Sequence, residues 1–223
     1  MKGAERLAQQ IIDDIAAAGW PVGTMLGTEP ELIDRYGVSR NTFREAVRIL
    51  EHLDTARMRE GRSGGLAVTE PRSDALTQAA AIYLRYTGVG VHELYQARTT
   101  LEVEIVELAV ARLDAEGERR LRDAIEREGS PSEIEPYHTR TLHMTLAEIA
   151  GNRPLTLFLD TLISLSDEYS RPELRRHDPE LEAAVAASHR AHVAIAKAVL
   201  ARDAATAQRR MRAHLTAVDR WMP

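Results

Sequence analysis

Cysteine is missing from all 223 residues. That excludes disulfides and thiolate metal sites, so any bound metal has to be held by histidine and carboxylate. No apolar run approaches the length of a membrane span, and the opening MKGAERLAQQ is polar where a signal peptide would carry its apolar segment. These absences point to a cytoplasmic protein with no membrane partner. Aromatic residues make up only 4%. What the chain does have is Ala, Leu, Glu and Arg, residues that lose little rotamer freedom in a helix, so a mostly α protein is expected. With 44% hydrophobic and 28% charged residues there is material for one large or two ordinary domains. A formal net charge of -5 argues against a protein that coats nucleic acid, so DNA binding would need a local basic patch.

Such a patch is present in YGVSRNTFREAVRIL, residues 36 to 50. Upstream, Leu7, Ile11 and Ile15 share one stripe of a helix over about 4–18, which Gly19 and Pro21 stop. Thr28 and Glu31 have capping-box spacing and Pro30 falls in the first turn, predicting a short helix to about Tyr36. Gly37 makes a turn, and Ser39 is a good N-cap for a third helix. In that helix Phe43, Val47 and Leu50 face inward while Arg40, Arg44 and Arg48 line another face. Helix, glycine turn, helix is the helix-turn-helix pattern. MREGRSGGLAV, residues 58 to 68, has a glycine-rich centre carrying Arg62, with Met58 on one flank and alternating Leu66 and Val68 on the other, and reads as a β-hairpin wing. An arginine row on an arbitrary helix is more often a solvated face tied to neighbouring glutamates. Beside a wing it reads as the edge that enters the major groove.

After the polar linker TEPRSD, helical periodicity runs almost to the end, broken at TGVGV, EGSPSE, GNRP and RPELRRHDPE. The breaks leave six or seven helices, the last pair near 180–201 and 203–221. The expected organisation is a winged helix-turn-helix over 1–69 and an antiparallel all-helical bundle over 70–223.

LGTEPELIDRYGVSRNTFREAVRILE with the wing REGRSGG resembles the winged-helix domain of the GntR family of bacterial transcription regulators. LYQARTTLEVE (94–104), LHMTLAEIAGN (142–152), HVAIAKAVLARD (192–203) and MRAHL (211–215) resemble the FCD ligand-binding bundle of that family's FadR subgroup, and LTQAAAIYLRYTG resembles its extra helix. The resemblance implies a DNA-contacting set of Thr28, Ser39, Arg40, Asn41, Thr42, Arg44 and Arg48 with Gly61, Arg62 and Gly64 of the wing. It also implies a regulator that binds an inverted-repeat operator as a homodimer, a repressor released by a small carboxylic acid. Two departures stand out. Thr28-Glu29-Pro30 replaces the family's usual Ser-Glu-Arg, removing one arginine contact. Asp54, Thr55 and Ala56 stand where relatives commonly carry glycine and two apolar residues leading into the wing.

In the second domain the resemblance implies an effector site of Arg98, Thr139, His143, His192 and His214. His143, His192 and His214 correspond to the family's metal-binding histidines, and Thr139 stands in place of the usual aspartate. Three imidazoles can hold Zn²⁺ or Ni²⁺, or merely line a polar pocket, and threonine is a poor substitute for a carboxylate. His189, one turn before His192, is a substitute ligand. His52, His92 and His177 read as surface residues, and His138 sits off the helical face of His143. Leu94, Ala97, Leu101 and Ile105 define an apolar stripe with Arg98 at its margin and Glu102 a turn later. Arg98 reads either as half of an intrahelical pair or, as the resemblance implies, as a guanidinium fork facing a carboxylate ligand. A metal-dependent enzyme built on the histidines is the alternative. It lacks an evident catalytic carboxylate beside them and leaves residues 1–69 unexplained.

Overall fold

The computed structural model describes residues 3–61, 64–128, 140–170, 179–220 and 222. It divides into two compact units, Met1–Gln78 and Ala79–Pro223.

The first unit begins with α1 (Gly3–Ala17), followed by β1 (Met25–Gly27), α2 (Glu29–Tyr36), α3 (Arg40–His52), β2 (Ala56–Arg59) and β3 (Gly65–Val68). Leu7, Ile11 and Ile15 of α1 cluster with Phe43, Val47 and Leu50 of α3, Leu32 of α2 and Leu66 of β3, all nearly or fully buried. Each such side chain contributes about 1.5–3 kcal/mol by leaving water. The turn between α2 and α3 is built as the spacing implies. Thr28 and Glu31 cap α2 reciprocally, Gly37 adopts φ 62°, and the Ser39 hydroxyl accepts from the Thr42 N–H. Beyond the expected hairpin, β1 pairs with β3 on the side opposite β2, giving an antiparallel sheet in the order β1-β3-β2. Three residues are too few to show a strand period, so β1 left no sequence signal.

The second unit contains the rest of α4 (Asp74–Thr87), then α5 (Val91–Arg112), α6 (Ala115–Glu128), α7 (Arg140–Ile149), α8 (Arg153–Ser170), α9 (Pro179–Leu200) and α10 (Ala204–Asp219). Val106 and Ala109 of α5, Leu121 of α6, Leu142 and Leu146 of α7, Leu159 of α8, Val199 of α9 and Leu215 of α10 share one core. A break at 113–114 escaped the sequence reading because it contains neither glycine nor proline. The Asp114 side chain accepts from the Gly117 N–H at 2.7 Å and restarts the chain as α6. The apolar stripe expected on α5 is rotated from its true buried face. Ala97 is exposed, whereas Arg98 and Glu102 lie within the buried face, at 6% and 1% exposure, alongside Leu94, Tyr95, Ile105 and Val106.

Candidate DNA interface and buried histidine cluster

The face of α3 opposite its core stripe exposes Arg40, Asn41, Arg44 and Arg48. The capping contacts around Ser39 and Thr42 present the start of the helix, where unpaired N–H groups favour an anion. Arg40 and Arg44 are not tied to glutamates of their own helix. Both reach back to Glu29, with Nε atoms 3.2 and 3.6 Å from the same carboxylate oxygen, while their side chains stay 70% and 67% exposed. Asn41 donates to Glu45 at 3.3 Å. In the wing, Gly61 has φ 113°, and a Cβ on Gly64 would lie 2.5 Å from the Arg59 carbonyl oxygen, so a side chain is excluded there. Arg62 lies outside the described residues. Asp54, just ahead of β2, takes φ 49° and pairs with Arg57 at 3.5 Å.

In the helical unit, α7, α9 and α10 bring His143, His192 and His214 together, all buried, with one ring nitrogen from each lying within 4.8 Å of the others. His192 Nε2 is 3.1 Å from His214 Nε2. Three nitrogen donors converging from three helices suit a borderline divalent ion such as Zn²⁺ or Ni²⁺. Burial, followed by repulsion from His143, pushes the His214 imidazole far below its usual range. Desolvation also dominates at His192 and lowers it despite the attraction of Glu128. Both rings are therefore neutral, as metal ligation requires. Thr139, His138 and His177 lie outside the described residues. His189 is one third exposed, with Nδ1 4.0 Å from Glu128, and is not among the three clustered rings. His52 and His92 are exposed, the latter 2.8 Å from Asp219.

Contrary to the expectation that no carboxylate accompanies the histidines, two stand beside them. Glu102 on α5 receives Arg98 Nε on one oxygen at 3.0 Å and contacts His143 Nδ1 with the other. Burial alone would raise its carboxyl, but His143 and Arg98 outweigh that and hold it at about 2. Glu128, at the end of α6, accepts the Leu142 N–H at 2.9 Å and lies 2.8 Å from His192 Nδ1. Desolvation opposes its ionisation, yet the bond to His192 wins and its carboxyl is lowered. Arg98 is thus half of an intrahelical pair and also buried within the cluster, stacked 5.0 Å from the Tyr95 ring centroid. Glu128 is far from the histidines in sequence and falls in a run of charges, which hid it.

A helix-turn-helix with a wing, joined in one chain to a helical bundle that encloses a polar cluster, defines an effector-responsive transcription regulator. The chain belongs to the GntR family. The model for "Bacterial regulatory proteins, gntR family" matches residues 3–64, and that for the FCD domain matches residues 93–217. Among curated relatives it is 29% identical to the Uxu operon regulator of Haemophilus influenzae over 73% of this chain and 58% of that protein. It is 26% identical to the HTH-type transcriptional regulator LutR of Bacillus subtilis over 88% of this chain and 90% of the relative. The HTH-type transcriptional repressor NanR of Klebsiella aerogenes is 27% identical over 98% and 84%. The solved structure of Streptococcus agalactiae GntR shares the fold, with a TM-score of 0.74, 24% identity and coverage of 98% of this chain and 99% of that one. These families and relatives are regulators, so the enzyme alternative finds no support, despite the two carboxylates. Among the described residues no helix is long and apolar enough to cross a membrane.

Proposed function

We propose that this regulator is a cytoplasmic repressor, with residues 1–69 reading DNA and residues 70–223 sensing an effector and pairing two copies. It binds an inverted-repeat operator as a homodimer and is released when a small carboxylic acid enters the bundle. Arg40, Asn41, Thr42, Arg44 and Arg48 read the major groove, with Thr28, Ser39 and the wing residues Gly61, Arg62 and Gly64 on the backbone. His143, His192 and His214 hold a divalent metal, Zn²⁺ or Ni²⁺. Arg98 receives the effector carboxylate, and Thr139 belongs to the same effector-binding set. When bound, the metal supplies a Lewis acid to which a carboxylate oxygen can attach, while Arg98 gives the same anion a charge-assisted hydrogen bond.

The observation that carries this reading is the buried contact chain from Arg98 through Glu102 to His143, which puts a fixed cation beside three imidazoles that could hold a second. Protein purified without chelator or nickel column should contain near-stoichiometric metal, lost in a His143→Ala, His192→Ala double variant. A carboxylic acid should raise its melting temperature, since a ligand of the native state must stabilise it, and should weaken its gel shift of the DNA upstream of its own gene. Arg44→Ala should weaken that shift by about 1–3 kcal/mol while circular dichroism is unchanged. If a broad acid screen and added Zn²⁺ or Ni²⁺ leave both melting and DNA affinity untouched, the bundle is not a sensor.

A further inference from the structure

We propose that Glu102 and Glu128 are the positioning carboxylates of the metal site, setting the tautomers of His143 and His192. This rests on the metal reading above. Neither glutamate belongs to the group of side chains able to reach one ion, so both act from behind the ligands. Each takes the Nδ1 side of one imidazole. Glu102 contacts His143 Nδ1, and Glu128 stands 2.8 Å from His192 Nδ1. A carboxylate can only accept, so each ring must donate Nδ1–H, and in the neutral form that ligates a metal Nε2 is then the lone-pair nitrogen. The free Nε2 of His192 is the atom that faces His214, so the tautomer selected is the one able to ligate there.

Glu128→Gln is the cleanest test, because Glu128 has no contact with Arg98 among its hydrogen bonds. Glutamine has one acceptor oxygen where glutamate has two. If that oxygen keeps the Leu142 N–H, the amide NH₂ faces His192 Nδ1 and drives the ring into the opposite tautomer, with the proton on Nε2. Zinc affinity, measured by competition with a chromophoric chelator, should fall 10–100-fold in Glu128→Gln and in Glu102→Gln. Nitrogen-15 NMR of the metal-free wild type should show His192 protonated on Nδ1, and Glu128→Gln should lose that signature. Wild-type zinc affinity in both variants, or a metal-free wild type with His192 protonated on Nε2, would overturn the assignment and leave the metal reading standing. A wild type that takes up no zinc overturns both.

Discussion

Arg98, Glu102 and Glu128 show what burial does to charge. An exposed intrahelical Arg–Glu pair is worth a few tenths of a kcal/mol. In the interior the same pair is a constraint, because removing one partner strands the other and costs about 3–5 kcal/mol. Arg98→Ala is thus expected to destabilise the bundle through Glu102, and Arg98→Lys, which keeps the charge and removes the fork, is the variant that separates ligand binding from folding. Acid is the second probe of the cluster. Around it stand Arg98 and Glu102 of α5, Glu128 of α6, His143 of α7, His192 of α9 and His214 of α10. His192 and His214 have folded values below the ordinary 6.5, so their stabilising contribution is whole above pH 6.5. It is lost as pH falls, because the unfolded chain takes up protons that the fold refuses. Each group approaches about 1.4 kcal/mol per pH unit. Glu102, held at about 2 against 4.5, adds a further loss between those two values. In metal-free protein, urea midpoints between pH 6 and 5 should fall more steeply in the wild type than in His214→Asn, by about one proton's worth of slope; equal slopes would mean that His214 is not buried neutral. The histidines and Arg98 were legible as motif positions. The glutamates behind them were not, since a carboxylate in a charged helix reads as solvated until the fold shows which way it faces.

At the level of elements, boundaries were legible where a residue type carried the geometry. Thr28 with Glu31, Gly37 and Ser39 wrote the ends of α2 and α3 into the sequence, and the structure uses each in the expected role. Elements without such marks were missed. β1 has three residues, and the α5–α6 break depends on the single side chain of Asp114. The stripe on α5 was misplaced because two of its buried positions are charged, which disguises a core face as a polar one. Asp54 is instructive in the opposite sense. Its φ of 49° belongs to the left-handed region, where an L side chain costs about 1–2 kcal/mol and Asp is among the residues that tolerate it. Its carbonyl accepts the Thr69 hydroxyl at 2.6 Å, so the turn is anchored to the end of β3. Replacing Asp54 by glycine relieves the strain but loosens the unfolded chain, and the two effects nearly cancel. The informative comparison is therefore Asp54→Gly against Asp54→Ala. Chemical denaturation should find the glycine variant more stable by about 1 kcal/mol. Equal stability would show that the left-handed turn is not retained.

For the whole molecule the question is how an acidic chain holds DNA tightly. The arginines of one α3 and one wing supply few phosphate contacts, and each released counterion contributes about 0.9 to the slope of log affinity against log salt. Two copies on an inverted repeat double that slope and the base-reading surface together. The proposed pairing of two copies has a candidate surface on α4. Ile82, Tyr83 and Tyr86 of α4 are 65%, 64% and 87% exposed, three large apolar side chains within little more than one helical turn. A cluster of this kind on a soluble protein marks a contact site more often than an accident. The wild type should sediment as a dimer at micromolar concentration and protect two half-sites about one helical turn apart. A Tyr83→Glu, Tyr86→Glu double variant should sediment as a folded monomer, with operator affinity lowered and the salt slope roughly halved. The arginine row would be intact in that variant, so residual binding should remain and be abolished by Arg44→Ala. A variant that stays dimeric would move the interface away from α4, and a wild-type monomer that footprints a single half-site would remove the dimer altogether.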